Sequence, residues 1–131
     1  MIYLIILLAL VLRLVHINQG LWLDEAIGAI AARDFSYSGI LFDFLRADNH
    51  PPLYYLTLKF WSSIFGYSDI ALRSLSVVFG VLTVWLTYLI AKKIFNNKSF
   101  ILLATILIAT APLHIYYSQE VRMYPMITML V

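Results

Sequence analysis

Asp24 and Glu25 follow the first apolar run of the chain almost at once, in Gly20-Leu21-Trp22-Leu23-Asp24-Glu25-Ala26. A carboxylate held at a partly desolvated boundary has a raised pKa and can take a proton from a hydroxyl. An isolated acid pair more often marks a helix start, where the helix dipole favours it. This pair also follows an aromatic at the edge of an apolar segment, and a second acid, Glu120, is expected on the same side. Only one of two neighbours on a helix can point into a given cleft. Asp24 is the expected catalytic base, and Glu25 is a weaker candidate for substrate contact.

Glu120 and Arg122 sit in Tyr116-Tyr117-Ser118-Gln119-Glu120-Val121-Arg122-Met123-Tyr124. A solvated loop ion pair is the simple alternative, but charges crowded by aromatics more often line a cleft. The guanidinium of Arg122 matches phosphate oxygens bidentately. His50 precedes Pro51-Pro52, a rigid turn that suits either a helix start or a donor aimed at phosphate. Tyr55, in the same motif, is counted with the substrate-binding residues. Lys59 either snorkels to an interface or faces a phosphate, and snorkelling is the better reading. Arg13 and Arg73 lie near helix ends, where anchoring and phosphate contact weigh equally. His114 has no second His, Cys or carboxylate at ligand spacing, so no metal site is assigned and a divalent cation has no support.

The elements that position these residues are apolar. The chain is 131 residues long, 63% hydrophobic and 12% charged, with mean hydropathy +0.88. A soluble domain carries about 25% charge, so an all-α membrane protein is expected. The net charge of +2, with no basic run interleaved by aromatics, gives no sign of nucleic acid. The absence of cysteine excludes disulfides and thiolate metal sites.

A membrane helix needs about 20 apolar residues. Spans are expected at 1–17, 70–91 and 99–116, with Pro112 breaking the third near its end, and a truncated fourth at 125–131. That last piece is too short to cross, so the chain reads as the N-terminal part of something longer. Segment 1–17 lacks a basic leader and a small-residue cleavage site, and is read as a retained anchor. Leu53–Phe65 is too short to span and is expected to lie along the interface. Asp24 to about Phe35 gives a second surface helix in the same loop.

With Leu53–Phe65 on the surface, residues 18–69 form one loop with six acids and three bases, while 92–98 carries three lysines and no acid. The positive-inside rule then makes 92–98 cytoplasmic and puts 18–69 and 117–124 outside. Asp24, His50, Glu120 and Arg122 are expected to meet in one outer cleft.

Four stretches carry a resemblance: Leu21-Trp22-Leu23-Asp24-Glu25-Ala26; His50-Pro51-Pro52-Leu53-Tyr54-Tyr55; Phe65-Gly66-Tyr67-Ser68 with Ala71-Leu72-Arg73; and Tyr117 to Tyr124. In this order and spacing the chain resembles the N-terminal region of GT-C membrane glycosyltransferases of the dolichyl-phosphate-mannose–protein mannosyltransferase type. Their prokaryotic relatives include the lipid A aminoarabinose transferases. The resemblance implies inverting transfer of a sugar from a polyprenyl-phosphate donor to a hydroxyl on a glycan, lipid or protein, at the outer face of the cell membrane. It implies Asp24 as base, Glu120 as the acid of the second outer loop, His50 near the donor phosphate, and two surface helices in the first loop. Two other readings remain: a non-catalytic lipid-binding or transport module, and an inactive fragment.

Overall fold

The computed structural model describes residues 1–48 and 50–131. The chain is all-helical, in the order α1 (Ile2–Leu14), α2 (Leu23–Asp34), α3 (Tyr37–Phe42), a 3₁₀ turn (Phe44–Arg46), α4 (Pro52–Phe65), α5 (Asp69–Ile94), α6 (Lys98–Thr110), α7 (Pro112–Ser118) and α8 (Tyr124–Leu130).

Helix α5 organises the molecule. Its 26 residues extend about 39 Å, enough to cross a hydrocarbon core of about 30 Å. Ser68 caps its start by accepting from the Ala71 N–H at 3.2 Å, and Lys92 and Lys93 lie in its last turn, where cations suit the dipole. It is the one helix among the described residues that is long and apolar enough to cross a membrane by itself.

The other expected spans are shorter or bent. Helix α1 stops at Leu14, three residues before the expected end, because Val15 is extended and His16 takes φ 61°. Its buried residues, Ile5, Ala9 and Arg13, recur every fourth position and face α5 and α6, while Tyr3, Leu4, Leu7 and Val11 are exposed. The expected span 99–116 is two helices, α6 and α7, with a 52° bend between them. Ala111 is extended (ψ 117°), as the residue before a proline prefers.

The loop between α1 and α5 holds three α-helices and the 3₁₀ turn, where two helices were expected. The additional one is α3, started by the Ser36 side chain accepting from the Gly39 N–H at 3.0 Å. Six residues are too few to show an apolar period. Helix α4 begins with Pro52 in its first turn and ends at Gly66, whose φ of 89° suits glycine. It turns Tyr54, Tyr55, Leu58 and Ser62 inward, and the Trp61 indole N–H reaches the Ala71 carbonyl of α5 at 3.0 Å.

Two cores result. The larger joins α2, α3 and α4 to the start of α5 and to Val121, Met123 and Met126. The smaller, Ile5, Ala9, Val84 and Ala109, holds α1, α5 and α6 together further along. Between them Gly80 of α5 meets Ser118 and Arg13. A Cβ at Gly80 would stand 2.8 Å from the Ser118 Cβ and 2.9 Å from the Arg13 Nε. Gly80→Ala is therefore expected to cost about 1–3 kcal/mol by overpacking. Thermal melts of the purified protein in detergent check this, and an unchanged midpoint would contradict the packing.

Candidate functional site

The first turn of α2 sends its two acids in different directions. Glu25 is fully buried. Its carboxylate accepts from the Arg73 Nε at 2.9 Å and Nη2 at 2.6 Å, from the Val121 N–H at 2.8 Å and from the Trp22 N–H at 3.2 Å. Arg73 also donates to the carbonyls of Ile17 at 3.1 Å and Gly20 at 3.2 Å. The pair therefore ties together α2, α5, the turn after α1 and the loop after α7. Both side chains have their bonding capacity engaged inside the protein.

Asp24 is partly exposed and points the other way. Its Oδ2 lies 3.2 Å from Nη1 of Arg122. The two line an open cleft of about 350 Å³ together with Asp48, His50 and Tyr55 and the apolar Ile27, Phe44 and Ala47. Arg122 is 9% exposed, and its Nε is buried without a partner. Burial works against its charge, but the Tyr124 hydroxyl and the Asp24 carboxylate outweigh that and raise its pKa.

Asp48 is the residue that the motif reading missed. Its carboxylate accepts from the Tyr55 hydroxyl at 2.6 Å and pairs with Nδ1 of His50. The far nitrogen of His50, Nε2, faces Nη2 of Arg122 at 3.4 Å. A chain of contacts thus runs Tyr55–Asp48–His50–Arg122–Asp24. The available signal was the spacing Asp-x-His-Pro-Pro, in which the prolines fix the backbone beside an acid two residues earlier.

Burial pushes the Asp48 carboxyl up, but the hydrogen bonds from Tyr55 and His50 outweigh it and leave its pKa below the ordinary value. A depressed folded pKa means stability that is present above the unfolded value and lost as pH falls through the folded one. Wild-type protein is expected to lose this contribution below about pH 4. Asp48→Asn should melt lower at neutral pH and show a shallower acid-side decline. Melts over roughly pH 3 to 7 check this, and identical pH dependence in the two proteins would refute the linkage.

Glu120 lies elsewhere. It lines a neighbouring cavity of about 210 Å³ with His16, Gln19, Trp22, Tyr116 and Gln119, on the Glu25–Arg73 side of α2. Burial raises its pKa, and the nearby Glu25 charge adds to that, against the opposing effects of Tyr116, Arg122 and Arg73. Lys59 is in neither cavity. Its ammonium donates to the Ala32 carbonyl at 3.0 Å, in the last turn of α2, and lies over the Tyr37 ring. The structure thus brings Asp24, His50, Tyr55 and Arg122 to one cavity. It brings Glu120 to the neighbouring cavity together with the buried pair Glu25 and Arg73, and sets Lys59 at the other end of α2. Among the described residues no cluster of His, Cys, Asp and Glu could hold a metal ion.

The family described as dolichyl-phosphate-mannose-protein mannosyltransferase matches residues 49–131. The chain belongs to this family. The matched region holds His50, Tyr55, Arg73, Glu120 and Arg122, and Asp24 and Glu25 precede it. No curated protein and no solved structure gives a significant match. Members of the mannosyltransferase family are membrane glycosyltransferases, and the apolar helix α5 agrees with that setting.

Proposed function

We propose that the chain forms the N-terminal, donor-facing part of an inverting glycosyltransferase that moves a sugar from a polyprenyl-phosphate carrier to an acceptor hydroxyl. The observation that supports this best is the cavity in which Asp24 pairs with Arg122 beside His50 and Tyr55. It sets the Asp24 carboxylate beside the Arg122 guanidinium, whose donors suit phosphate, while Asp48 is engaged by Tyr55 and His50. In this reading the donor phosphate competes for Arg122 and releases Asp24. Asp24 then takes the proton of the acceptor hydroxyl, and the oxygen attacks the anomeric carbon from the face opposite the phosphate. The bond from carbon to phosphate oxygen breaks, and its electron pair leaves with the phosphate. Arg122 stabilises that charge as it develops, and His50 orients Arg122 through Nε2.

Asp48 and Tyr55 hold His50 in place, Glu25 and Arg73 hold the frame, and Glu120 serves the acceptor side from its own cavity. Helices α1, α5 and α6–α7 cross the cell membrane and α8 begins a further crossing. Residues 92–98 lie in the cytoplasm, while α2, α3, α4 and the loop after α7 lie outside. The motive is the charge split between the two sides.

Transfer and topology are tested together. The protein contains no cysteine, so single cysteines at the exposed positions Ser38 and Asn96 report cleanly. An impermeant thiol reagent added to intact cells should label Ser38→Cys and spare Asn96→Cys. The reverse pattern would overturn the orientation. Protein in vesicles should transfer sugar from a polyprenyl-phosphate donor, and Arg122→Leu should lose this. Folded protein that binds the donor lipid without transfer would leave the lipid-binding reading in its place.

A further inference from the structure

No glycine ends α1 at Leu14. The last carbonyls of a helix have no helical partner, and a glycine turn or water commonly meets them. Here Val15 is extended and His16 takes φ 61°, and the carbonyls of Leu12, Arg13 and Val15 face a single atom. That atom is Nε2 of Gln119, which donates to them at 3.1, 3.4 and 2.6 Å. Carbonyls only accept, so the amide of Gln119 must turn its nitrogen toward them. Gln119 stands 104 residues beyond Val15 in the chain. A side chain from the loop after α7 therefore closes the end of α1.

The closure runs both ways. The bend before Pro112 takes from the Ala109 carbonyl the N–H that a continuous helix would give it. Arg13 donates to that carbonyl at 3.2 Å and to the Ser118 hydroxyl at 3.3 Å. The Ser118 hydroxyl in turn donates to the His114 carbonyl. So α1 closes the end of α6 and steadies α7, while Gln119 closes α1. Two residues beyond Gln119, the Val121 N–H donates to Glu25 at 2.8 Å. The loop is held at Gln119 and again at Val121. Glu120, between the two holds, lines the cavity that His16 and Gln119 also line, and Arg122, just after the second, meets Asp24.

We propose that Gln119 is a positioning residue for transfer: by closing the end of α1 it fixes the loop that presents Arg122 to Asp24 and to the donor phosphate. Gln119 does not line the Asp24 cleft, so it acts through the backbone of this loop. Arg122 reaches its place on a long side chain, and the 3.2 Å contact with Asp24 depends on where that backbone starts. A misplacement of about 1 Å can cost a reaction on the order of 10²-fold. The hold on α1 is a property of the fold, while its effect on transfer rests on the role proposed for Arg122.

The test compares the full-length wild type with Gln119→Met, which keeps the bulk of the side chain and removes its donors, and Gln119→Lys, which restores donors at similar reach. Hydrogen exchange is followed by mass spectrometry in nanodiscs. In Gln119→Met, exchange should quicken about tenfold in the last turn of α1 and in the loop around Val121, the effect of one or two lost hydrogen bonds on a local opening. Gln119→Lys should return both segments toward the wild type. Unchanged exchange in Gln119→Met overturns the proposal. Transfer is then measured per folded molecule. The donor KM should rise on the order of tenfold in Gln119→Met and recover in Gln119→Lys, whereas a loss of folded protein alone leaves KM where it was. A donor KM equal to that of the wild type overturns the positioning role. If Gln119→Met does not fold, Gln119→Asn, one methylene too short to reach the carbonyls, carries the same comparison. Should the wild type move no sugar from a polyprenyl-phosphate donor, the reading of function fails, and the hold of Gln119 on the loop is still decided by exchange.

Discussion

Asp24→Asn is expected to lower sugar transfer by about 10²–10⁴-fold, the usual contribution of a general base, while donor-lipid binding stays close to that of the wild type. The substitution keeps the shape of the side chain and removes its ability to take a proton. Asp24 is partly exposed on the first turn of α2, and among the described residues its one ion pair is with Arg122. Losing it therefore leaves Arg122 free for phosphate and disturbs no packed core. The comparison that matters is kcat against KM for the donor. A fall confined to kcat fits a proton acceptor acting in the transition state. A rise in donor KM with kcat intact would make Asp24 a binding group, and transfer at the wild-type rate would remove it from the chemistry altogether.

The helices that were legible in the sequence are those whose ends carry chemical marks. Pro51-Pro52 and Gly66 bracket α4, expected at Leu53–Phe65 and found at Pro52–Phe65. The acids after Trp22 mark the start of α2, and an uninterrupted apolar run marks α5. Helix α3 was not legible because six residues do not complete an apolar period. The turn at His16 was not legible because nothing local calls for a positive φ at a histidine, and burial of Ile17 is a tertiary effect.

The candidate site divides in the same way. That one of the two acids would face a cleft follows from helix geometry, since neighbours lie about 100° apart. Which one turns inward depends on where Arg73 lies, 48 residues away in sequence. The separation of Glu120 from Asp24 has a similar origin. The loop after α7 passes the buried Glu25 at Val121, which leaves Glu120 on one side and Arg122 on the other. Asp48 was hidden because a lone acid in a polar stretch resembles any solvated loop residue until its partners are seen.

Glu25→Gln is expected to cost about 3–5 kcal/mol of stability, because it leaves the Arg73 charge buried without a counter-charge. The pair is almost fully buried, with side-chain exposures of 5% for Arg73 and 0% for Glu25. Removing one partner of such a pair costs far more than the net worth of the pair, since the desolvation of the other remains. The double variant Glu25→Leu with Arg73→Leu should therefore be more stable than Glu25→Gln. It should still fall short of the wild type, because Arg73 also bonds the carbonyls of Ile17 and Gly20 and Glu25 accepts from the Trp22 and Val121 N–H groups. Midpoints of thermal melts for the wild type, Glu25→Gln and the double variant give the order directly. The expected order is wild type, then double, then single. If Glu25→Gln melted with the wild type yet lost transfer, Glu25 would belong to the chemistry and not to the frame. The buried pair would then be the place to look for the acceptor, on the side of α2 where Glu120 lies.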